Sequence, residues 1–325
     1  MIMTSYEKEI QVNESLKAVH RKKTDPQMFR KETFWRILVT ICGIAIILLT
    51  LAIGAFLIYQ GSGTFTKFGH SIFEFLFSST WAPTDSPSAS GGQVGAAIYI
   101  VGSLETCGLA LLIAVPFSIA AAVFMTEINS KAGTRLFRPA TEIFLGIPSI
   151  VYGWVGLTVL VPFIRDVFHA SMGGFSILAA GIVLAIMIFP TITTLSADAI
   201  LSVPDSYRKA AYGLGSTRWQ VIHHIVIPAA FSGILTGIIL GLSRAFGEAL
   251  AVAMVIGKTR AFASGILDPT TNLTAAIASD MGNTANGGEY NLALWSMALL
   301  LFILSILSII LIHAIARRKE KVYGA

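Results

Sequence analysis

Charge is scarce in this chain. Asp, Glu, Lys and Arg make up 13% of its 325 residues, about half the share of an ordinary soluble domain. Cysteine is nearly absent: Cys42 and Cys107 are the only two, and both lie inside apolar runs. That excludes a disulfide framework or a cysteine zinc site and leaves two buried thiols acting as small apolar residues. No His-Glu-x-x-His and no Gly-x-Ser-x-Gly occurs, which argues against an intramembrane enzyme. Gly257-Lys258-Thr259 looks like the end of a phosphate-binding loop, but the earlier glycine that such a loop needs falls on Val252. No internal repeat is evident, against the two similar halves common in self-sufficient secondary transporters. The first 33 residues carry both charge signs and no short apolar core, which predicts a cytoplasmic tail rather than a secretory signal.

What the chain has instead is apolar length. Hydrophobic residues reach 54% and mean hydropathy is +0.74. A membrane-spanning helix takes about 20 apolar residues. Six stretches qualify, near Phe34–Tyr59, Val94–Met125, Ala140–Val167, Gly174–Leu195, Ala229–Ile256 and Leu292–Ala316. The fold class expected is therefore an all-α integral membrane protein of six transmembrane helices. Pro116 and Pro190 predict bends in the second and fourth spans. Eighteen Lys and Arg fall in the tail, the second-to-third loop, the fourth-to-fifth loop and the C-terminus. Four, namely Lys67, Arg165, Lys258 and Arg260, fall on the other side, and Arg244 lies within a span. The asymmetry predicts that both termini are cytoplasmic. The organisation expected is a tail over 1–33, a six-helix membrane domain over 34–316 and a short tail over 317–325. The first outer loop ends in a Ser/Pro/Gly-rich run (Ser86, Pro87, Ser88, Ser90, Gly91, Gly92), suited either to docking a partner or to a flexible connection.

The loop over 202–228 is the most informative segment. Pro204 suits the first turn of a short helix, and Gly213 and Gly215 suit its end. Thr217 followed by Gln220 is a capping-box pattern that opens a second helix. Pro228 then marks the entry to the fifth span. Ala210 and Ala211 allow close approach of another surface, and Tyr207, Arg208, Lys209 and Arg218 offer polar grip at its rim.

The pattern Ala210-Ala211, Gly215 and Ile225-x-Ile227-Pro228 resembles the cytoplasmic coupling motif of ABC-importer permeases, with matching spacing throughout. Lys209 stands where that motif has Glu, and Ile227 where it has Leu. Ile147-Pro148-Ser149-Ile150-Val151-Tyr152-Gly153, Leu178–Gly181 leading to Met187–Pro190, and Arg244–Val252 resemble phosphate-importer permeases, the last of them the PstC branch. The resemblance implies a type I ABC-importer permease fold that translocates inorganic phosphate and is not itself an enzyme. It implies no cofactor on this chain, with ATP hydrolysed by a partner. The partners it implies are two PstB-like ATPase subunits, a second, PstA-like permease and an extracytoplasmic PstS-like binding protein. Ala210, Ala211, Gly213, Gly215, Arg208 and Lys209 would then couple to the ATPase. A permease for another oxyanion, such as molybdate or sulfate, is the nearest alternative.

An arginine at the middle of the fifth span needs a reason, since a midplane Arg costs about 2.5–3.5 kcal/mol on insertion scales. At about 100° per residue, Gly233, Gly237, Gly241, Arg244 and Glu248 fall within about 80° of one another on a continuous helix. The glycines admit a neighbouring helix. Arg244 and Glu248 could form a structural ion pair across one turn. Alternatively they line a substrate path, the guanidinium fork matching the oxygens of phosphate. The resemblance points to the second reading. Glu105, halfway along the second span, is a third intramembrane charge and a further pathway candidate, paired with Arg244 or facing water.

Overall fold

The computed structural model describes residues 26–84, 92–170 and 172–323. Most of the N-terminal tail and the run from Ser86 to Gly91 lie outside the described residues. The chain divides into two units, 1–56 and 57–325. In the first, helix α1 (Pro26–Gly61) begins, and its described side chains are exposed on nearly every side. A helix apolar all round in this way suits lipid.

The second unit holds α2 (Ile72–Phe77), a two-stranded antiparallel hairpin of β1 (Trp81–Ala82) and β2 (Gln93–Val94), and then α3 (Ala97–Val123). Next come α4 (Arg138–Gly146), α5 (Ser149–Val155), α6 (Val161–Phe168) and α7 (Ile177–Leu201). The loop helices are α8 (Asp205–Gly213) and α9 (Arg218–Val221). The remainder is α10 (Phe231–Gly247), α11 (Leu250–Val255), α12 (Leu273–Asp280) and α13 (Glu289–Tyr323). Among the described residues five helices are long and apolar enough to cross a membrane, or six when one bent pair counts as a single span.

The central core packs α3, α6, α7, α10 and α11 around Ala110, Ile164, Leu184, Ile188, Phe246 and Val252. α7 is the most buried candidate span. Both α3 and α7 run through Pro116 and Pro190 as single helices, so neither proline breaks its span. Two other spans break where continuous helices were expected. The third stops at Gly146, Ile147 turns to an extended conformation before Pro148, and α5 starts at Ser149. The Tyr152 hydroxyl donates to the Phe144 carbonyl at 2.7 Å and ties the two pieces together. The fifth bends by 67° at Ala230, just after Pro228. It breaks again at Glu248, which is extended (φ −79°, ψ 120°).

Candidate functional site

The glycine face of α10 is real. A Cβ added at Gly241 would lie 2.7 Å from Ile192, and one at Gly237 would lie 3.1 Å from Leu195. One at Gly233 would collide with the Cβ of Ala199. All three neighbours belong to α7, so the missing side chains let α10 lie directly on α7. Arg244 continues toward the same helix: its Nη1 donates to the Thr191 hydroxyl at 3.3 Å. Arg244 is half-buried, and α5, which carries Tyr152, packs against the fifth span nearby. α5 can come this close to the fifth span because Gly153 has no side chain. A Cβ there would lie 2.8 Å from the Ala251 backbone.

Glu248 does not join that face. The helix ends at Gly247, so the one-turn spacing that would bring Glu248 over Arg244 is lost. The ion pairs among the described residues lie elsewhere. Glu248 serves the next helix instead: its Oε1 accepts from the Ala251 amide at 3.0 Å, at the start of α11. A carboxylate there satisfies an unpaired N–H and meets the positive end of the helix dipole. Its backbone carbonyl accepts from the Thr274 hydroxyl at 2.8 Å, on α12, a helix from the second long loop whose first turn is buried. Glu105 sits on an exposed face of α3 and makes no pair with Arg244. The three intramembrane charges are therefore separate features, and the structural ion pair between Arg244 and Glu248 does not form.

The loop over 202–228 folds as two helices. Pro204 is the N-cap of α8, one residue outside the helix. At the other end Gly215 has φ +81°, the left-handed region that glycine enters without strain. Its amide donates to the Tyr212 carbonyl at 3.0 Å, and that of Ser216 donates to Ala211 at 3.1 Å, the paired bonds of a Schellman ending. The capping box forms: Thr217 Oγ1 accepts from the Gln220 amide, and the Gln220 side chain accepts from the Thr217 amide at 2.8 Å.

Exposure then sorts the expected coupling residues. Lys209, Ala210, Gly213 and Gly215 are exposed. So are Tyr207, Tyr212 and Trp219, and Leu214 is 88% exposed, an apolar patch of the kind that marks an interaction site. Ala211 is buried in this chain's own core with Ala122, Val123, Ile200 and Ile222. Its small side chain serves packing within the chain rather than across a partner surface. Arg208 is also turned inward, bonded to Glu127, so the expectation of a free grip at the rim fails for it. Thr191, Thr274 and Glu127 are the partners that sequence reasoning passed over. Glu127 had a signal, as an acidic residue at the loop end of a long apolar span; the two threonines had none.

Comparison with known proteins agrees with this architecture. Residues 114–321 match the family described as the binding-protein-dependent transport system inner membrane component. A probable ABC transporter permease protein, YqgH of Bacillus subtilis (strain 168), is 46% identical over 285 residues, covering 88% of this chain and 91% of the relative. The phosphate transport system permease protein PstC of Pasteurella multocida (strain Pm70) is 35% identical over 299 residues, covering 86% and 90%. A chain of a bacterial alginate ABC transporter, solved with an alginate-pentasaccharide-bound periplasmic protein, superposes with a TM-score of 0.60. It is 16% identical and covers 90% of this chain and 96% of its own, which shows a shared fold. The chain belongs to the binding-protein-dependent transport system inner membrane components, as a PstC-type permease and a multi-pass protein of the cytoplasmic membrane.

Proposed function

We propose that this chain is the phosphate-translocating permease subunit of an ABC importer, working beside a second permease of the PstA kind. PstB-like ATPase subunits would dock on the exposed patch around Leu214, and a PstS-like protein would deliver phosphate from outside. The chain itself binds no nucleotide. The observation that carries the substrate reading is Arg244. It stands half-buried in a membrane helix, hydrogen-bonded to the Thr191 hydroxyl at 3.3 Å, and among the described residues no carboxylate lies within ion-pair distance of it. An uncompensated cation in such a place favours an anion, and its planar fork suits phosphate oxygens. Glu248, occupied by the α11 N-terminus, shapes the same stretch without neutralising it, and Glu105 stands as a separate charge on α3. The basic-residue asymmetry supports a cytoplasmic position for the 202–228 loop and both termini.

The test purifies the complex through this chain and identifies the ATPase and second permease that accompany it. Phosphate uptake is then measured for Arg244→Gln and Arg244→Lys. Arg244→Gln should abolish uptake while the complex still assembles, and Arg244→Lys should keep part of it, since an ammonium lacks the bidentate fork. Normal uptake in Arg244→Gln would refute the site.

A further inference from the structure

Arg208 lies on the ATPase-facing loop yet spends its side chain inside the chain. Its Nε and Nη2 donate to Glu127 Oε1 at 3.1 and 2.7 Å. Nη2 also donates to the Ile200 carbonyl at 2.9 Å, and Nη1 to the Val203 carbonyl at 2.6 Å and Asp205 Oδ1 at 3.3 Å. The two partners are 15% and 10% exposed. One rigid fork thus gathers three pieces of chain. Ile200 and Val203 present carbonyls at the end of α7, where backbone acceptors are left over and a cation is favoured. Asp205 opens α8. Glu127 comes from the turn that ends the second span. There the backbone over Phe124–Ile128 widens into a π-helix, a feature often found at functional sites. A second tie runs parallel: Arg218 of α9 donates from Nη2 to the Ile128 carbonyl at 3.0 Å. Beneath both, Ala211, Val221 and Ile222 pack on Ala122, Val123 and Ile200.

We infer that the Arg208–Glu127 pair is a positioning joint that carries movement of the ATPase-docking helix into the second and fourth spans, and that Arg208 does not itself touch the ATPase. Lys209 and Ala210, its neighbours in sequence, are exposed, so the face that meets a partner and the side chain that fixes the loop to the spans are adjacent but distinct. A push on α8 reaches the end of α7 through the Ile200 and Val203 bonds. It reaches α3 through Glu127. Charge-assisted bonds to a planar fork hold direction as well as distance, which a packed apolar contact alone does not. The inference rests on the proposed function and adds the residues through which the stroke passes.

The experiment uses the whole complex in liposomes with its ATPase, second permease and binding protein. It measures complex yield, ATP hydrolysis and phosphate uptake for Arg208→Gln, Glu127→Gln and both together. The complex should form, and ATP hydrolysed per phosphate imported should rise roughly 10-fold for Arg208→Gln, the size of effect expected for losing one charge-assisted contact of this kind. The double variant should be no worse than Arg208→Gln, because both changes break one joint. An unchanged ratio, whatever the yield, overturns the inference. So does release of the ATPase by Arg208→Gln alone, which would mean direct contact. Should the glutamine variants yield no complex, Arg208→Lys and Glu127→Asp keep both charges while spoiling the fork. A raised ratio in them supports the joint, and an unchanged ratio overturns it. Failure of the unmodified complex to import phosphate with ATP would fault the functional reading itself, whereas tight coupling in the variants faults only the joint.

Discussion

Gly213 and Gly215 stand two residues apart at the end of α8, and a built Cβ meets nothing within 4 Å at either position. Crowding therefore cannot distinguish them, and the backbone alone decides. Gly213 is the last helical residue and needs no special conformation. Alanine there should stabilise the loop by about 0.5–1 kcal/mol, the usual gain over glycine in a helix. Gly215 has φ +81°, where an L side chain costs roughly 1–2 kcal/mol. The two alanine variants should differ by about 2 kcal/mol, or roughly 30-fold in the population of the opened loop. Hydrogen exchange reads this directly. The amides of Gly215 and Ser216 close the Schellman ending onto Tyr212 and Ala211, so they should exchange faster in Gly215→Ala and slower in Gly213→Ala. Gly215→Asn should recover part of the loss, since asparagine tolerates the left-handed region better than alanine. Equal exchange in the two alanine variants, or faster exchange in Gly213→Ala, would refute the reasoning.

Three more outcomes follow from the same structure. Glu248→Gln keeps an acceptor for the Ala251 amide and should leave complex yield near normal, while Glu248→Leu removes the cap at a cost of about 1 kcal/mol; thermal unfolding of the purified complex separates the two. Gly233→Ala drives a methyl into the Ala199 Cβ on α7, whereas Gly237→Ala meets the Leu195 Cβ at 3.1 Å. The first should therefore lower the melting temperature more, by the equivalent of about 1–3 kcal/mol, and the opposite order would fault the packing. A reporter fused at Ala325 that works only outside the cell should stay silent, and activity there would overturn the assigned orientation.

Much of the helical architecture is legible in the sequence, because apolar length is a summed signal that single residues do not upset. The capping box at Thr217 and Gln220 was equally legible, since both partners are three residues apart and the bonds are local. The breaks at Ile147 and Glu248 were not. Both fall inside apolar runs; at Ile147 the only signal is the Pro148 that follows it, which disfavours a helical conformation one residue earlier, and at Glu248 a partner lies far away in sequence, where Thr274 bonds its carbonyl across 26 residues. The same break explains why helical periodicity misplaced Glu248. The 100° rule assumes a continuous helix, and Gly247 ends it. Arg208 was misread for a related reason. A charged residue on a polar loop reads as solvent-facing, and the carboxylate that draws it inward is 81 residues away.

The proposed function is ATP-driven phosphate import through a path lined by Arg244. The most direct measurement is uptake of radiolabelled phosphate into liposomes that contain the purified complex, with its binding protein outside and ATP inside. Uptake should require both ATP and the binding protein, should not be competed by sulfate or molybdate, and should vanish in Arg244→Gln with the complex intact. Uptake of another oxyanion in preference to phosphate would refute the substrate, and undiminished phosphate uptake in Arg244→Gln would refute the path.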